Sequence, residues 1–323
     1  MPLFAWLPAF MHAAAPFFIV GCPRSGTTLV QRLLSAHPDA TVLPETFFVR
    51  RLMPRRSPLT DPLTATQHQS LLRRIQQSEA WGMQSLDPDA LHGQAQRHAR
   101  TGAGVLRAWM QATADAHGVP FVGEKTPDHA LQIEELHRAL PDARFIHIVR
   151  DPRAVVNSWR SVPWSSGYAW RDAQLWRERV EAVRKVPAPV PVHTITFETL
   201  VHHPESTMQR VAAFLGLDVH ARWRSHAPDT VAVDAQVEPW KANALAPIDP
   251  TVATRWRTAL PPADWAMVEA MTASEMAHWG YSPETDSAAR RHARRRRWRH
   301  HLQWKVGLLV QAARDKLPRS PFN

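Results

Sequence analysis

The sequence predicts an α/β protein: a central parallel sheet with helices on both faces. Two apolar runs of strand length carry this reading, Phe17–Gly21 (FFIVG) and residues 145–149 (FIHIV, broken only by His147), as expected of strands covered on both sides. Each is followed within a few residues by helical spacing, Leu29, Leu33 and Leu34 after the first and residues 151–160 after the second. Strand, loop, helix units in series pair in parallel through right-handed crossovers, and ligands of such sheets sit in the loops at the carboxyl ends of the strands.

Along the chain, residues 1–15 are apolar but lack the basic residues that open a secretory signal. No stretch approaches the roughly 20 apolar residues of a membrane span, which predicts a cytoplasmic protein. After the first strand comes a helix over 27–36, then a short strand at 41–43. Residues 52–118 are polar and helical in character with breaks at Pro58, Pro62 and Pro88, an inserted helical subdomain that could form part of an acceptor pocket. Further strands are expected at 121–123 and 192–196, the latter followed by a helix ending near Leu217. Residues 227–262, rich in Pro, Ala and Asp, predict an extended surface loop, after which Trp265, Val268, Met271 and Met276 mark another helix. The composition breaks at about Ser287, giving a domain over 1–286 and a tail over 287–323.

Charge separates the same two parts. Residues 290–323 hold eleven of the 39 Lys and Arg but only one of the 29 acids, so the formal charge of +10 belongs to the tail and the body is neutral. Cys22 is the only cysteine, which excludes an internal disulfide and a structural zinc site of thiolates.

The loop after the first strand reads Gly21-Cys-Pro-Arg-Ser-Gly26-Thr27-Thr28. Its glycine spacing is that of a nucleotide-binding P-loop, whose backbone amides and following helix N-terminus hold an anion. The lysine that a kinase or ATPase places before the Ser or Thr is replaced by Thr27, and the cation sits earlier, at Arg24. A sulfuryl group bears one negative charge where a phosphoryl group bears two, so its transfer needs less neutralisation and no divalent metal. A P-loop kinase or NTPase and a catalytically inactive nucleotide-binding module are the alternatives.

With its PRSGTT loop the chain resembles the PAPS-dependent sulfotransferases, particularly the bacterial and tyrosylprotein branch, where PAPS is 3′-phosphoadenosine 5′-phosphosulfate. The resemblance implies a P-loop-type three-layer fold and metal-free transfer to an acceptor hydroxyl. It implies that Ser25, Gly26, Thr27 and Thr28 cradle the 5′-phosphate while Arg24 meets the phosphosulfate. In the second match, FIHIVRDPRAVVNSW, Arg150 and Ser158 are implied to hold the 3′-phosphate. Glu45, 21 residues after Arg24, stands where tyrosylprotein enzymes have their general base, with His37 as the rival. Lys125 in GEKTP stands where the family has a lysine stabilising the bridging oxygen, with Glu124 as its expected local partner. Arg255, in Arg255-Trp256-Arg257, resembles a late nucleotide contact, and Phe197 stands where relatives usually have Tyr. The catalytic serine of tyrosylprotein enzymes has no counterpart that can be placed.

The tail falls outside the resemblance. Seven arginines between Arg290 and Arg299 precede an apolar stripe of Leu302, Val306, Leu309 and Ala313, extended backwards by Trp298. Such a basic amphipathic helix over 290–317 suits either an anionic membrane surface, making the protein peripheral, or packing of its apolar stripe on the body. Aromatics and base-reading residues are too sparse for a specific nucleic-acid site.

Overall fold

The computed structural model describes residues 15–54, 57–219, 246–297, 301 and 304. Five strands, β1 (Phe17–Gly21), β2 (Ala40–Leu43), β3 (Phe121–Lys125), β4 (Arg144–Val149) and β5 (Val192–Thr196), make one parallel sheet in the order β2-β3-β1-β4-β5. The helices in chain order are α1 (Thr27–Ser35), α2 (Ala65–Gln76), α3 (Glu79–Gly82), α4 (Pro88–Arg97), α5 (Gly102–His117), α6 (Ile133–Ala139), α7 (Pro152–Trp159) and α8 (Ala169–Arg184). They continue as α9 (Phe197–His202), α10 (Pro204–Leu215), α11 (Trp256–Ala259) and α12 (Pro262–His278). The chain divides into two compact units, Met1–Arg150 with Glu178–Ala253, and Asp151–Arg177 with Thr254–Asn323.

The first unit is three layers built on the two-residue period of its strands. Phe18 and Val20 point to one face of the sheet, Phe17 and Ile19 to the other, and all four are fully buried. The Phe18 face shares a core with Leu71 and Leu72 of α2, Leu91 of α4 and Leu106 and Trp109 of α5, so the inserted helices form one covering layer. On the opposite face Phe17 and Ile19 meet Val30 and Leu33 of α1 and Met208 and Val211 of α10. Phe18 stacks on Phe145 with ring centroids 5.5 Å apart, a pairing that adds about 0.5–1.5 kcal/mol to simple burial. β3 runs two residues further than its apolar pattern, through Glu124 and Lys125, because both side chains are buried with partners.

The second unit is helical, with Val156 of α7, Trp170 of α8, Trp256 of α11 and Met267 and Val268 of α12 in one core. Its polar centre is Arg153, which meets Asp151 at 2.6 Å and Glu269 at 2.7 Å and lies over the Trp256 ring at 4.2 Å. Burial would raise the Glu269 carboxyl, but donors from the Glu284 and Thr285 backbone, the Thr285 hydroxyl and the Trp265 indole hold it below the usual carboxylate range. Residues 287–297 are helical and pack on this core through Ala293.

The loop expected over 227–262 is only partly extended. Residues 220–245 lie outside the described residues, but Pro250–Ala253 forms a 3-10 turn and α11 follows, because buried Ala253 and Trp256 anchor the chain and allow local turns. Of the tail stripe, Trp298, Leu302, Val306, Leu309 and Ala313 lie outside the described residues. Trp304, which is not one of the stripe residues, is placed against Trp170 with centroids 5.9 Å apart. No helix among the described residues is long and apolar enough to cross a membrane.

Candidate functional site

The carboxyl ends of β1, β2, β3 and β4 carry the predicted site residues of the first unit. The loop after β1 turns on two residues with positive φ, Arg24 at 72° and Gly26 at 103°. A Cβ at Gly26 would fall 2.5 Å from Cδ2 of Phe197, so conformation and space both require glycine there. Arg24 adopts the left-handed region with a side chain in place, a strain of about 1–3 kcal/mol of the kind that collects at functional sites. The Ser25 N–H donates to the Cys22 carbonyl at 3.1 Å and closes the turn.

α1 then starts with no side-chain cap at Gly26 and no acidic residue in its first turn. Its leading amides, which no helix can satisfy internally, therefore keep their affinity for an anion. Ser25 is fully buried, and its Oγ has no hydrogen-bond partner among the described residues. Leaving such a hydroxyl unbonded costs about 1–3 kcal/mol, and a phosphate oxygen held by the same loop would remove that cost. Thr27 and Thr28 are buried behind it. The donor set fits an anionic phosphate without any change in the loop.

β2 ends at Leu43, and two residues on Glu45 accepts a hydrogen bond from Lys125 Nζ at 2.5 Å. The Lys125 side chain is 2% exposed and that of Glu45 22%, so the pair joins a buried cation to a carboxylate that water reaches. Lys125 lies in register with Ile19 of β1, one strand from the loop. Sequence spacing thus finds both residues, and the structure brings them together across 80 positions.

Glu124 is not the local partner of Lys125. Successive strand side chains leave on opposite faces, and Glu124 points to a separate buried cluster. Its Oε1 accepts from the Thr46 amide at 3.2 Å, the Thr46 hydroxyl at 2.9 Å and the Thr126 hydroxyl, while His129 Nδ1 is 2.9 Å from Oε2. Thr126 Oγ1 also accepts from the Phe47 amide at 3.1 Å. The residues flanking Glu45 and Lys125 are therefore tied to each other, a network that sequence spacing does not reveal because its members are local only within β3 and its turn. His37, the rival base, is structural: its Nδ1 accepts from the Asp39 amide at 3.1 Å and its Nε2 lies 3.0 Å from the Asp218 carbonyl oxygen.

Arg150 follows β4. It donates to the carbonyls of Arg24 at 3.1 Å and Val252 at 2.8 Å, and its guanidinium lies 4.1 Å from the Phe197 ring centroid. Phe197 thereby touches both the loop glycine and the arginine, using its ring alone. Ser158 on α7 and Arg255, at the N-cap of α11, belong to the second unit. Arg255 is exposed and Ser158 half-buried. Trp81, Trp109 and Trp170 are core residues, whereas Trp164 is 48% exposed.

Residues 16–221, which include the loop, Glu45, Lys125 and Arg150, match the sequence profile of the sulfotransferase family. The chain belongs to that family. A Caenorhabditis briggsae relative carrying a protein-tyrosine sulfotransferase name is 30% identical over 219 residues, 65% of this chain and 68% of its own. Protein-tyrosine sulfotransferase 2 of Gallus gallus is 27% identical over 289 residues, covering 82% of this chain and 69% of the relative. Among solved structures, the sulfotransferase domain of the Synechococcus PCC 7002 olefin synthase superimposes with a TM-score of 0.57 at 22% identity, over 86% of this chain and 99% of that domain. That likeness shows the sulfotransferase fold. Membership of the family also sets aside the kinase reading, in accord with Thr27 at the place of the kinase lysine.

Proposed function

We propose that this sulfotransferase moves a sulfuryl group from PAPS to an acceptor hydroxyl by in-line attack, without a divalent metal. PAPS supplies the activated sulfuryl group. The observation that carries the reading is the Glu45–Lys125 pair, 2.5 Å apart at the end of the strand next to the anion-binding loop. In this reading Glu45 takes the proton from the acceptor hydroxyl, and Lys125 with Arg24 offsets charge on the departing phosphate oxygen. The amides of Gly26, Thr27 and Thr28 and the Ser25 hydroxyl hold the 5′-phosphate, while the Ser25 amide keeps its bond to the Cys22 carbonyl. Arg150 and Ser158 are assigned to the 3′-phosphate and Arg255 to a further nucleotide contact.

The acceptor we favour is a protein tyrosine, on the strength of the named relatives. A phenol ionises near pH 10, so a carboxylate needs to remove its proton only as attack proceeds. The test has two parts. Adenosine 3′,5′-bisphosphate should raise the melting temperature in the presence of a chelator, with ATP much weaker because it lacks the 3′-phosphate. Tyrosine peptides incubated with enzyme and PAPS should gain the mass of one SO3. Binding that requires magnesium overturns the metal-free reading, and mass gain only on non-phenolic hydroxyls overturns the acceptor.

A further inference from the structure

The second unit contains a cavity of about 390 Å³ that the sulfotransferase site does not use. Arg177 of α8, Arg294 and Arg297 of the helical segment 287–297, and Ala270, Met271 and Ser274 of α12 line it. The three arginines converge because each is anchored to the same short stretch of α12. Arg177 donates to the Met271 carbonyl at 3.5 Å, Arg294 Nε to the Ala270 carbonyl at 3.1 Å, and Arg297 lies 3.9 Å from the Met271 sulfur.

Among the described residues no carboxylate lines the cavity. Arg177 and Arg294 form no ion pair among the described residues, and the Arg177 Nε is shielded from solvent with no acceptor. Elsewhere in this unit buried guanidinium is handled differently: Arg153 is closed by Asp151 and Glu269. The Arg177 and Arg294 cations at this concave space repel one another, and the Arg177 Nε leaves donor capacity unused unless an anion enters. Guanidinium forks match the paired oxygens of phosphate, and three of them favour a dianion over a single carboxylate. The volume exceeds that of a bare phosphate and lies within the range of small-molecule sites.

We propose that this cavity is a second anion site, which binds a phosphomonoester dianion carried by a small molecule or by a lipid headgroup. Two of its three arginines come from the basic tail, so the site forms only where residues 287–297 dock on α12. The tail's charge thereby acquires a defined position for one phosphate in addition to any diffuse attraction to anionic surfaces.

The test uses the full chain with inorganic phosphate as the first probe, and each heat is read as the difference between variant and parent, because phosphate taken up by the loop after β1 is common to both. The compared variants lie only in the second unit, so the outcome does not depend on what the loop after β1 binds. Arg177→Gln removes one charged donor and should weaken phosphate binding, read by calorimetry, by about tenfold or more. Ser274→Glu, at an exposed position on α12, puts a carboxylate at the mouth without removing any packed group and should abolish this site's share of the binding heat. If Arg177→Gln lowers the melting temperature in the absence of phosphate, Ser274→Glu alone decides. Sedimentation with phosphatidic acid vesicles, against phosphatidylserine vesicles of equal charge, identifies the source. Preference for phosphatidic acid that free phosphate competes away assigns a lipid headgroup, and phosphate binding without that preference assigns a soluble ester. Phosphate affinity unchanged in both variants overturns the proposal.

Discussion

Glutamine at position 45 keeps the length and reach of glutamate and removes only its charge, which separates two roles the Glu45–Lys125 pair could serve. Lys125, with its side chain 2% exposed, would be left facing a neutral amide. Removing one partner of a buried ion pair costs about 3–5 kcal/mol; water reaches the Glu45 end, so the loss of stability expected for Glu45→Gln is roughly 2–3 kcal/mol. Methionine at 125 supplies comparable apolar length without the charge. The double variant Glu45→Gln/Lys125→Met should therefore be more stable than the two single losses imply, with a coupling of about 1–3 kcal/mol. Turnover should behave differently, falling roughly 10²–10⁴-fold in Glu45→Gln and staying low in the double variant, because no base is restored. Denaturant unfolding of the four proteins gives the first cycle, and release of adenosine 3′,5′-bisphosphate from PAPS in the presence of acceptor gives the second. A folded Glu45→Gln enzyme with substantial turnover would refute the assignment of Glu45 as base and leave the pair a structural one.

Ser25→Ala removes a buried hydroxyl that has no partner among the described residues, so stability without ligand should be unchanged or slightly raised while affinity for adenosine 3′,5′-bisphosphate falls by about 0.5–1.5 kcal/mol. Equal affinity measured by titration calorimetry would mean that this hydroxyl does not face the phosphate. Arg153→Met should cost about 3–5 kcal/mol in denaturant unfolding, because Glu269 and Asp151 lose their shared cation; a loss under about 1 kcal/mol would contradict the buried network. His147 is fully buried in β4 with Nδ1 3.2 Å from the Thr194 hydroxyl, and burial pushes its imidazole down to about 3. Unfolding near pH 5 therefore takes up a proton that the native chain refuses: the stability is present in full above about 6.5 and falls by about 1.4 kcal/mol per pH unit toward the folded value. His147→Gln should flatten that slope by one proton, and parallel slopes for the two proteins would show that His147 is not the group responsible.

The sheet was legible because each strand is a short apolar run followed by a turn, and all five occur within two residues of where the pattern puts them. The loop was legible for a different reason. Its backbone must turn left-handed at Gly26 and approach an aromatic ring, and only one residue type permits both. Contacts between distant positions were not legible. Glu124 looks like a neighbour's partner in sequence, yet strand geometry turns it away to Thr46, Thr126 and His129, and nothing in a one-dimensional pattern distinguishes the two outcomes. Arg294 and Arg297 were read only as part of a charge run and Arg177 not at all, because convergence on Ala270 and Met271 depends on how 287–297 and α8 lie against α12.

Phe197 shows how such contacts change the meaning of a sequence departure. The family resemblance implies a tyrosine at this position, and its missing hydroxyl suggests a weakened nucleotide contact. In the structure the ring is 6% exposed, fills the space that the absent Cβ of Gly26 leaves, and supports the Arg150 guanidinium at 4.1 Å. That guanidinium in turn bonds the carbonyl of Arg24, the residue held in the left-handed region. The ring, the arginine and the strained loop residue therefore form one support, and none of its contacts needs a hydroxyl. Lysine could not replace Arg150, because a single ammonium lacks the planar fork that reaches two carbonyls while stacking on an aromatic face. The left-handed turn of the loop after β1 thus rests on Arg150, with Phe197 as its platform; under the 3′-phosphate role proposed for Arg150, loop geometry and nucleotide affinity would be coupled through this one side chain.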